Sequence, residues 1–385
     1  MNKFKMVQVG VVVALVVTMT LGYAGWAGAT NYFTGLGDLA GGSFESSALG
    51  VSGDGLTVVG FSQSGNGREA FRWTKAGGMV GMGDALSGPP YWNVAGGASY
   101  DGSVIAGSSW YARRAWRWTQ GSGMQSIGQL GGGFSDGGAI SQNGSVLAGS
   151  SDYVPGKTHA FRWTQATGMV SLGDLGNGSV RSSAYGISGD GSIVVGFSES
   201  TSNVWQAFRW TAATGMVGLG DLAGGNFDSR AYGISNNGAV IVGYGNSANG
   251  QEAMRYTAAL GMVGLGDLGG GSFSSYAKDA SADGAIIVGS GTTAAGQEAF
   301  IWDAAHGMRN LEWVLTNEYG LNLTGWTLKE AVISDDGLTF AGWGTNPSGQ
   351  TEAWSAHVVP LPPTHLLLGL GLGALAILRR KFGSF

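Results

Sequence analysis

The chain has 385 residues, with 73 glycines, 7 prolines and no cysteine, and it sets 20 basic residues against 25 acidic ones. The glycines follow no triplet period, which excludes collagen, and 14 Trp, 12 Tyr and 15 Phe exclude a globally disordered chain. The basic residues form no cluster able to follow a phosphate backbone, and several lie in the terminal segments, so nucleic acid is not expected as a partner.

Residues 1–29 read as a signal peptide. Lys3 and Lys5 precede an apolar run from Val7 to Leu21, and Ala27-Gly28-Ala29 has the small-x-small form of a cleavage site. Export permits disulfides, yet there is no cysteine, so packing or sheet closure must hold the body together.

Residues 30–358 are repetitive. Trp or its replacement recurs at Trp73, Trp118, Trp163, Trp210, Tyr256, Trp302 and Ala356, and a glycine after an apolar run recurs at Gly60, Gly107, Gly149, Gly196, Gly243, Gly289 and Gly342. That makes seven copies, each with four short β-like pieces. In the fourth copy these are Ala184–Ser188, Ile193–Phe197, Ala207–Thr211 and Met216–Gly220. The first two pieces are linked by Asp-Gly or Asn-Gly, as at Asp190-Gly191 and Asn237-Gly238, which suits tight turns. No copy contains a twelve-residue loop of oxygen ligands, so neither calcium nor another metal is expected.

The chain enters its repeats on a lone fourth-strand piece, Phe33 to Leu39, and the seventh copy, Ala331 to His357, stops after its third. The expected fold is therefore all-β: a seven-bladed β-propeller of four-stranded blades, closed by an N-terminal strand that completes the last blade.

Third strands carry Arg72, Arg117, Arg162, Arg209 and Arg255, and fourth strands are followed by Asp38, Asp84, Asp174, Asp221 and Asp267. The sixth copy replaces both with Ile301 and Trp313, which suggests a repeated structural polar network. Hairpin counting sets Arg72 opposite about Gly81 and Asp84 opposite about Glu69. The arginine partner is therefore sought on an adjacent unit, and the aspartate is expected to satisfy its following turn; an anion or carbohydrate role is the alternative.

First strands carry small residues such as Ala48, Gly50, Gly186 and Gly233, which allows convergence near an axis. Fourth-to-first and second-to-third loops share one face, vary in sequence and hold the insertions at 87–92 and 314–326. Their aromatics, Tyr91, Trp92, Trp110, Tyr111, Tyr153, Trp205 and Trp326, are the candidate ligand contacts; each serves equally to cover a hydrophobic rim. His159, His306 and His357 fall at strand positions that do not bring them together, and no Cys nucleophile, H-E-x-x-H or nucleophile elbow is present. No catalytic residue and no cofactor are expected, and the chain is read as a non-enzyme, with a hydrolase or lyase as the minor alternative.

Residues 359–385 combine Val359-Pro360-Leu361-Pro362 with an apolar run from Leu366 to Leu378 and then Arg379, Arg380 and Lys381. The run rises about 20 Å as a helix, short for an untilted crossing, and flanking residues extend it into an expected transmembrane helix. This tail resembles the bacterial PEP-CTERM sorting signal in its Val-Pro-Leu-Pro variant. The resemblance implies export machinery, recognition by a membrane-bound exosortase-like enzyme, transient or retained membrane association, and a link to exopolysaccharide or biofilm. The repeat itself, with His159-Ala160-Phe161, Gln206-Ala207-Phe208 and Gly-Asp-Leu at Gly37, Gly173, Gly220 and Gly266, is similar to the HAF family of extracellular repeats. Together they imply a surface- or matrix-associated interaction scaffold at the cell envelope or outside it, partnered by an extracellular glycan or protein; the alternative is a glycan- or small-ligand-binding module.

Overall fold

The computed structural model describes residues 30–84, 86–176, 181–201 and 204–359. The expected signal peptide and Pro360, Leu361 and Pro362, with the rest of the sorting segment, lie outside them. Among the described residues no helix is long and apolar enough to cross a membrane, and the transmembrane helix expected around Leu366 to Leu378 lies outside them.

Tyr32–His357 form one compact unit. It opens with β1 (Tyr32–Gly35), and seven repeats follow. Unit 1 holds β2 (Gly41–Val51), β3 (Thr57–Ser64), β4 (Gly67–Thr74) and β5 (Gly78–Gly81); unit 2 holds β6 (Tyr91–Ala98), β7 (Val104–Ser109), β8 (Arg114–Thr119) and β9 (Gly123–Ser126). Unit 3 is β10 (Ser135–Ile140), β11 (Val146–Val154), β12 (Lys157–Thr164) and β13 (Gly168–Ser171). Unit 4 is β14 (Ser182–Ile187), β15 (Ile193–Thr201), β16 (Val204–Thr211) and β17 (Gly215–Gly218). In unit 5 come β18 (Arg230–Ile234), β19 (Ile241–Ser247), β20 (Gly250–Thr257) and β21 (Gly261–Gly264), and in unit 6 β22 (Gly270–Ala280), β23 (Ile286–Thr293), β24 (Gly296–Asp303) and β25 (Gly307–Asn310). A short helix, α1 (Leu311–Asn317), capped by the Asn310 side chain, precedes unit 7: β26 (Thr327–Ile333), β27 (Thr339–Thr345) and β28 (Thr351–His357).

The Ala-Phe pair of the third strand explains how units pack. Neighbours along a strand face opposite sides of the sheet, so the alanine and the aromatic serve different interfaces. Ala160 of unit 3 packs with Phe208 of unit 4, Ala253 of unit 5 with Phe300 of unit 6, and Ala353 of unit 7 with Phe71 of unit 1, all fully buried. Ala70 and Ala115 repeat this with Trp116 and Phe161, and Ala207 with Met254. A small residue on one sheet thus receives a large one from the next, as dense packing requires.

The sheets differ from the expected architecture. Hydrogen bonding groups the described strands into five separate sheets, each open. Units 3 and 4 are four-stranded, as is the sheet of β1, β28, β27 and β26, while units 1 and 2 merge into one eight-stranded sheet and units 5 and 6 into another. The mergers rest on parallel pairing where a third strand runs beside the next first strand: Gly67 and Arg68 against Tyr91 and Trp92, and Gln251 against Ser274. The closed seven-bladed β-propeller is therefore corrected to an all-β body of five open sheets. Antiparallel pairing of Tyr32–Gly35 with Trp354–His357 completes the last sheet without closing it on itself.

Successive units are joined at their first-to-second turns. Asp54 N–H donates to Tyr100 O, Tyr100 to Gln142, Gln142 to Gly189, Gly189 to Asn236, Asn237 to Ala282, Ala282 to Asp335, and Asp335 to Gly53 O, at 2.8–3.2 Å. Each turn is built alike. In unit 4, Ser188 Oγ donates to Asp190 and accepts from Ile193 N–H, while Asp190 accepts from Ser192 N–H and Gly191 takes φ of 73°. The acidic and amide residues of these turns are thus occupied by the turn itself.

A second serine, six positions before the turn serine, clamps unit to unit. Ser229 Oγ accepts from Ala207 N–H of unit 4 at 3.0 Å and donates to Gly220 O. Ser46, Ser135, Ser182 and Ser275 repeat this, and Asn93 replaces it with its carboxamide. Ser229 is fully buried, so Ser229→Ala strands a donor and an acceptor between sheets. A loss of about 2 kcal/mol in denaturant unfolding is expected, with Ser192→Ala, in an exposed turn, as the near-neutral comparison.

Candidate functional site

The first strands converge on one cavity, and a repeated irregularity decides what projects into it. In unit 4 the pairing of β14 with β15 slips between Ala184 and Gly186, leaving Tyr185 as the extra residue. Units 1, 2, 3, 5 and 6 slip at the same place, leaving Leu49, Gly96, Gly138, Tyr232 and Lys278. A bulge re-aims the side chain it leaves unpaired. All six residues line the cavity, which has a volume of about 330 Å3. In unit 7 the slip lies instead between Leu328 and Glu330, and the lining there is Val332, Ile333 and Asp335.

The turn end of the cavity is polar. Gln142 Nε2 donates to Asp335 Oδ2 at 2.6 Å across a sequence separation of 193, and both line the cavity with Asn236. Burial raises the Asp335 carboxyl above its ordinary pKa, against the lowering influence of the Gln142 and Asn236 amides. The Asn236 amide lies beside that carboxylate without reaching hydrogen-bonding geometry, so its Nδ2 is buried with no acceptor. Midway along the wall, Asp279 accepts from Ala280 N–H at 2.8 Å and from Ile333 N–H of the next first strand at 3.1 Å. Its residue surface is only partly buried, but its carboxylate is enclosed by protein, which pushes its pKa up to about 6.

At the bulge level an aromatic wall spans units 4 to 6. Tyr185 meets Tyr232 edge-on at 5.6 Å, and Tyr232 meets Tyr276 at 6.1 Å. Burial raises all three phenols. Arg230 lies over Phe197 at 4.7 Å, beside Trp205 and Tyr244, and pairs with Asp228. Lys278 pairs with Glu330 at 3.5 Å, and Glu330 also accepts from the Tyr276 hydroxyl. In units 2 and 3 the bulge residues Gly96 and Gly138 meet backbone to backbone, a Cβ on Gly96 falling 2.8 Å from the Gly138 Cα.

The aromatics expected as ligand contacts fall into three groups. Trp92, Trp110, Tyr111 and Tyr153 are exposed, by 44%, 63%, 50% and 47%. Trp92 meets Tyr111 at 6.2 Å, Arg68 lies over Trp92, and Trp110 meets Phe134 at 5.9 Å with Arg113 over the same ring. Tyr91 and Trp205 are half-buried, the latter packed on Phe197 at 5.3 Å. Trp326 stands apart from them against Phe33.

The arginines and aspartates do not pair with each other. Arg117 and Arg162 donate to Gly144 O and Gly191 O in the turns of the following units, and Arg72 to Thr57 Oγ1. Arg72 stands opposite Val80, one residue from the counted register, and Arg209 opposite Val217; Arg255 lies over Trp302 at 5.4 Å with Nε buried and unpartnered. Asp221 accepts from Leu222, Asp228 and Asn246 N–H, and Asp267 from the matching Leu268, Ser274 and Thr292. Asp84 instead takes the Ser87 and Ser109 hydroxyls. Asp38 is half-buried beside Gly37, whose N–H donates to Glu352. Val359 N–H donates to Asn31 at 2.7 Å.

His159 has partners of its own: its Nδ1 meets Ser171 Oγ at 2.9 Å, and Asp174 lies 3.6 Å from Nε2. The repeat explains the group. In units 1 and 5 a glutamate at the His159 position accepts from the Gly83 or Gly266 N–H, over a glycine at the Ser171 position. In unit 3 Ser171 Oγ accepts from Gly173 N–H in its place, and 3.6 Å is too long for a hydrogen bond to Asp174. Burial lowers the His159 pKa, and exposed Tyr153 stacks on its ring at 4.7 Å. Among the described residues no group of three or more His, Cys, Asp or Glu is placed to hold a metal ion.

No protein-family model matches the chain, and no curated protein matches it. Solved structures do. A protein of Agrobacterium tumefaciens described as a TolB is 16% identical, over 74% of this chain and 94% of that one, with a TM-score of 0.47. TolB of Acinetobacter baumannii is 12% identical, over 77% and 78%, with a TM-score of 0.43. A puromycin hydrolase is 12% identical, over 84% of this chain and 55% of its own, with a TM-score of 0.56. At a TM-score of 0.56 the chain is similar in fold to part of the puromycin hydrolase. The hydrolase likeness shows the fold alone, and the chain spans only about half of that protein, but it corrects the reading of the chain as a non-enzyme: its fold is one that hydrolases also carry.

Proposed function

We propose that the chain is an exported interaction protein, sorted to the envelope or matrix through its C-terminal segment by an exosortase-like enzyme, and that it holds an extracellular glycan or protein against the face bearing Trp92, Trp110 and Tyr111. The observation that carries this reading is the connected aromatic and cationic surface of units 1 to 3, where Arg68, Trp92 and Tyr111 adjoin Trp110, Phe134 and Arg113. Large rings exposed by about half on a rigid support lose little side-chain freedom on binding. The HAF-like repeat and the Val-Pro-Leu-Pro tail support an extracellular setting.

A glycan array and adhesion to purified exopolysaccharide test the proposal on the full chain. Trp92→Ala with Trp110→Ala is expected to weaken binding at least tenfold, about 1.4 kcal/mol, with the unfolding midpoint nearly unchanged. Equal binding by the double variant would sink the assignment of this face.

A further inference from the structure

The cavity among the first strands carries a second, independent site. Its turn end is crossed by the Gln142–Asp335 hydrogen bond and bordered by the turn-to-turn bonds, so a polymer does not thread through it. Entry is from the level of Tyr185 and Tyr232, and the four residues from Tyr232 to Asn236 set a depth of about 13 Å. A volume of about 330 Å3 falls at the lower end of ligand pockets, which begin near 300 Å3.

We propose that this cup takes the terminal ring of a neutral polyhydroxylated ligand, a single sugar unit, end-on. Three features select that chemistry. The floor mixes amides with a carboxylate: Gln142 and Asn236 line it beside Asp335, which supplies acceptor oxygen. A hydroxyl both donates and accepts, so it answers both groups. An anion would face Asp136, Asp279 and Asp335, with Lys278 already held by Glu330. A cation would find both Asp279 oxygens engaged by backbone N–H groups and the Asp335 carboxylate already held by the Gln142 amide. At the entrance the repeated bulge sets Tyr185 and Tyr232 as an aromatic wall, while Gly96 and Gly138 are held to glycine by the close approach of their own backbones.

Saturation-transfer NMR and calorimetry on the full chain, with glucose, galactose, mannose and N-acetylglucosamine as probes and glucuronate and putrescine as charged comparisons, decide the matter. At least one neutral sugar is expected to saturate at millimolar concentration, with transfer to its ring protons, a readout that needs no variant. Tyr185→Ala and Asn236→Leu should each weaken it at least tenfold, while Trp110→Ala, on the exposed face, leaves it unchanged. The proposal is overturned by no saturable neutral sugar, by tighter glucuronate or putrescine, or by binding indifferent to both cup variants. Loss on Trp110→Ala alone would assign the sugar to the exposed face and refute the cup.

Discussion

Gly243→Ala is expected to cost at least about 4 kcal/mol and to leave little folded protein at ambient temperature. In β18 the Arg230 carbonyl lies over the Gly243 Cα, so an added Cβ would overlap that oxygen, with the Ala231 Cα 2.9 Å away. Both are backbone atoms, and neither can rotate aside. The same overlap awaits a Cβ at Gly60, Gly107, Gly149, Gly196, Gly289 and Gly342, each with the carbonyl of its own first strand. The recurring glycine after the apolar run is therefore fixed by the close approach of its own first strand, in unit 7 as well, where the slip lies elsewhere. Gly215→Ala, where nothing lies within 4 Å and only a φ of 66° is strained, should cost far less. Urea unfolding of the two variants measures the difference; comparable losses would show that backbone conformation, and not the close approach, fixes the glycine.

The seven repeats and their four strands were legible because each signal is local. Asp-Gly and Asn-Gly set the turns, and apolar runs ending in glycine set the second strands. The partition into sheets was not legible, because it turns on a few bonds at strand ends, such as Gly67 with Tyr91, that no residue type announces. The small residues Gly50, Gly186 and Gly233 line the cavity as expected, but its tyrosines were not legible, because one extra residue between Ala184 and Gly186 turns Tyr185 inward. A signal existed: that position varies among leucine, glycine, tyrosine and lysine, while in units 1 to 5 its neighbours are alanine or glycine. The clamp serines were readable too, since Ser182 and Ser229 precede the turn serines Ser188 and Ser235 by a constant interval.

Asp279 gives the fold an unusual pH dependence. Its counterparts are Gly50, Gly97, Ala139, Gly186, Gly233 and Val332, so unit 6 alone spends a carboxylate at this level, to hold the Ile333 N–H of unit 7. Burial is the larger influence on its pKa; the two backbone hydrogen bonds and Lys278 oppose it, and Asp335 adds to it. With the folded carboxyl titrating near 6 and the unfolded one near 3.8, the native state keeps a proton between those values that the unfolded chain has released. Stability must then fall as pH rises from about 4 to about 6, by at most about 3 kcal/mol from this group. Asp84, Asp101 and Asp190, whose pKa values are lowered in the fold, act in the opposite direction and at lower pH. Asp335, raised like Asp279, is present in both proteins compared, so the stability of the wild type minus that of Asp279→Ala isolates the one carboxyl. That difference should decline across the window and level off above pH 6. A constant difference would mean that Asp279 is ionised throughout, with its two N–H donors outweighing burial.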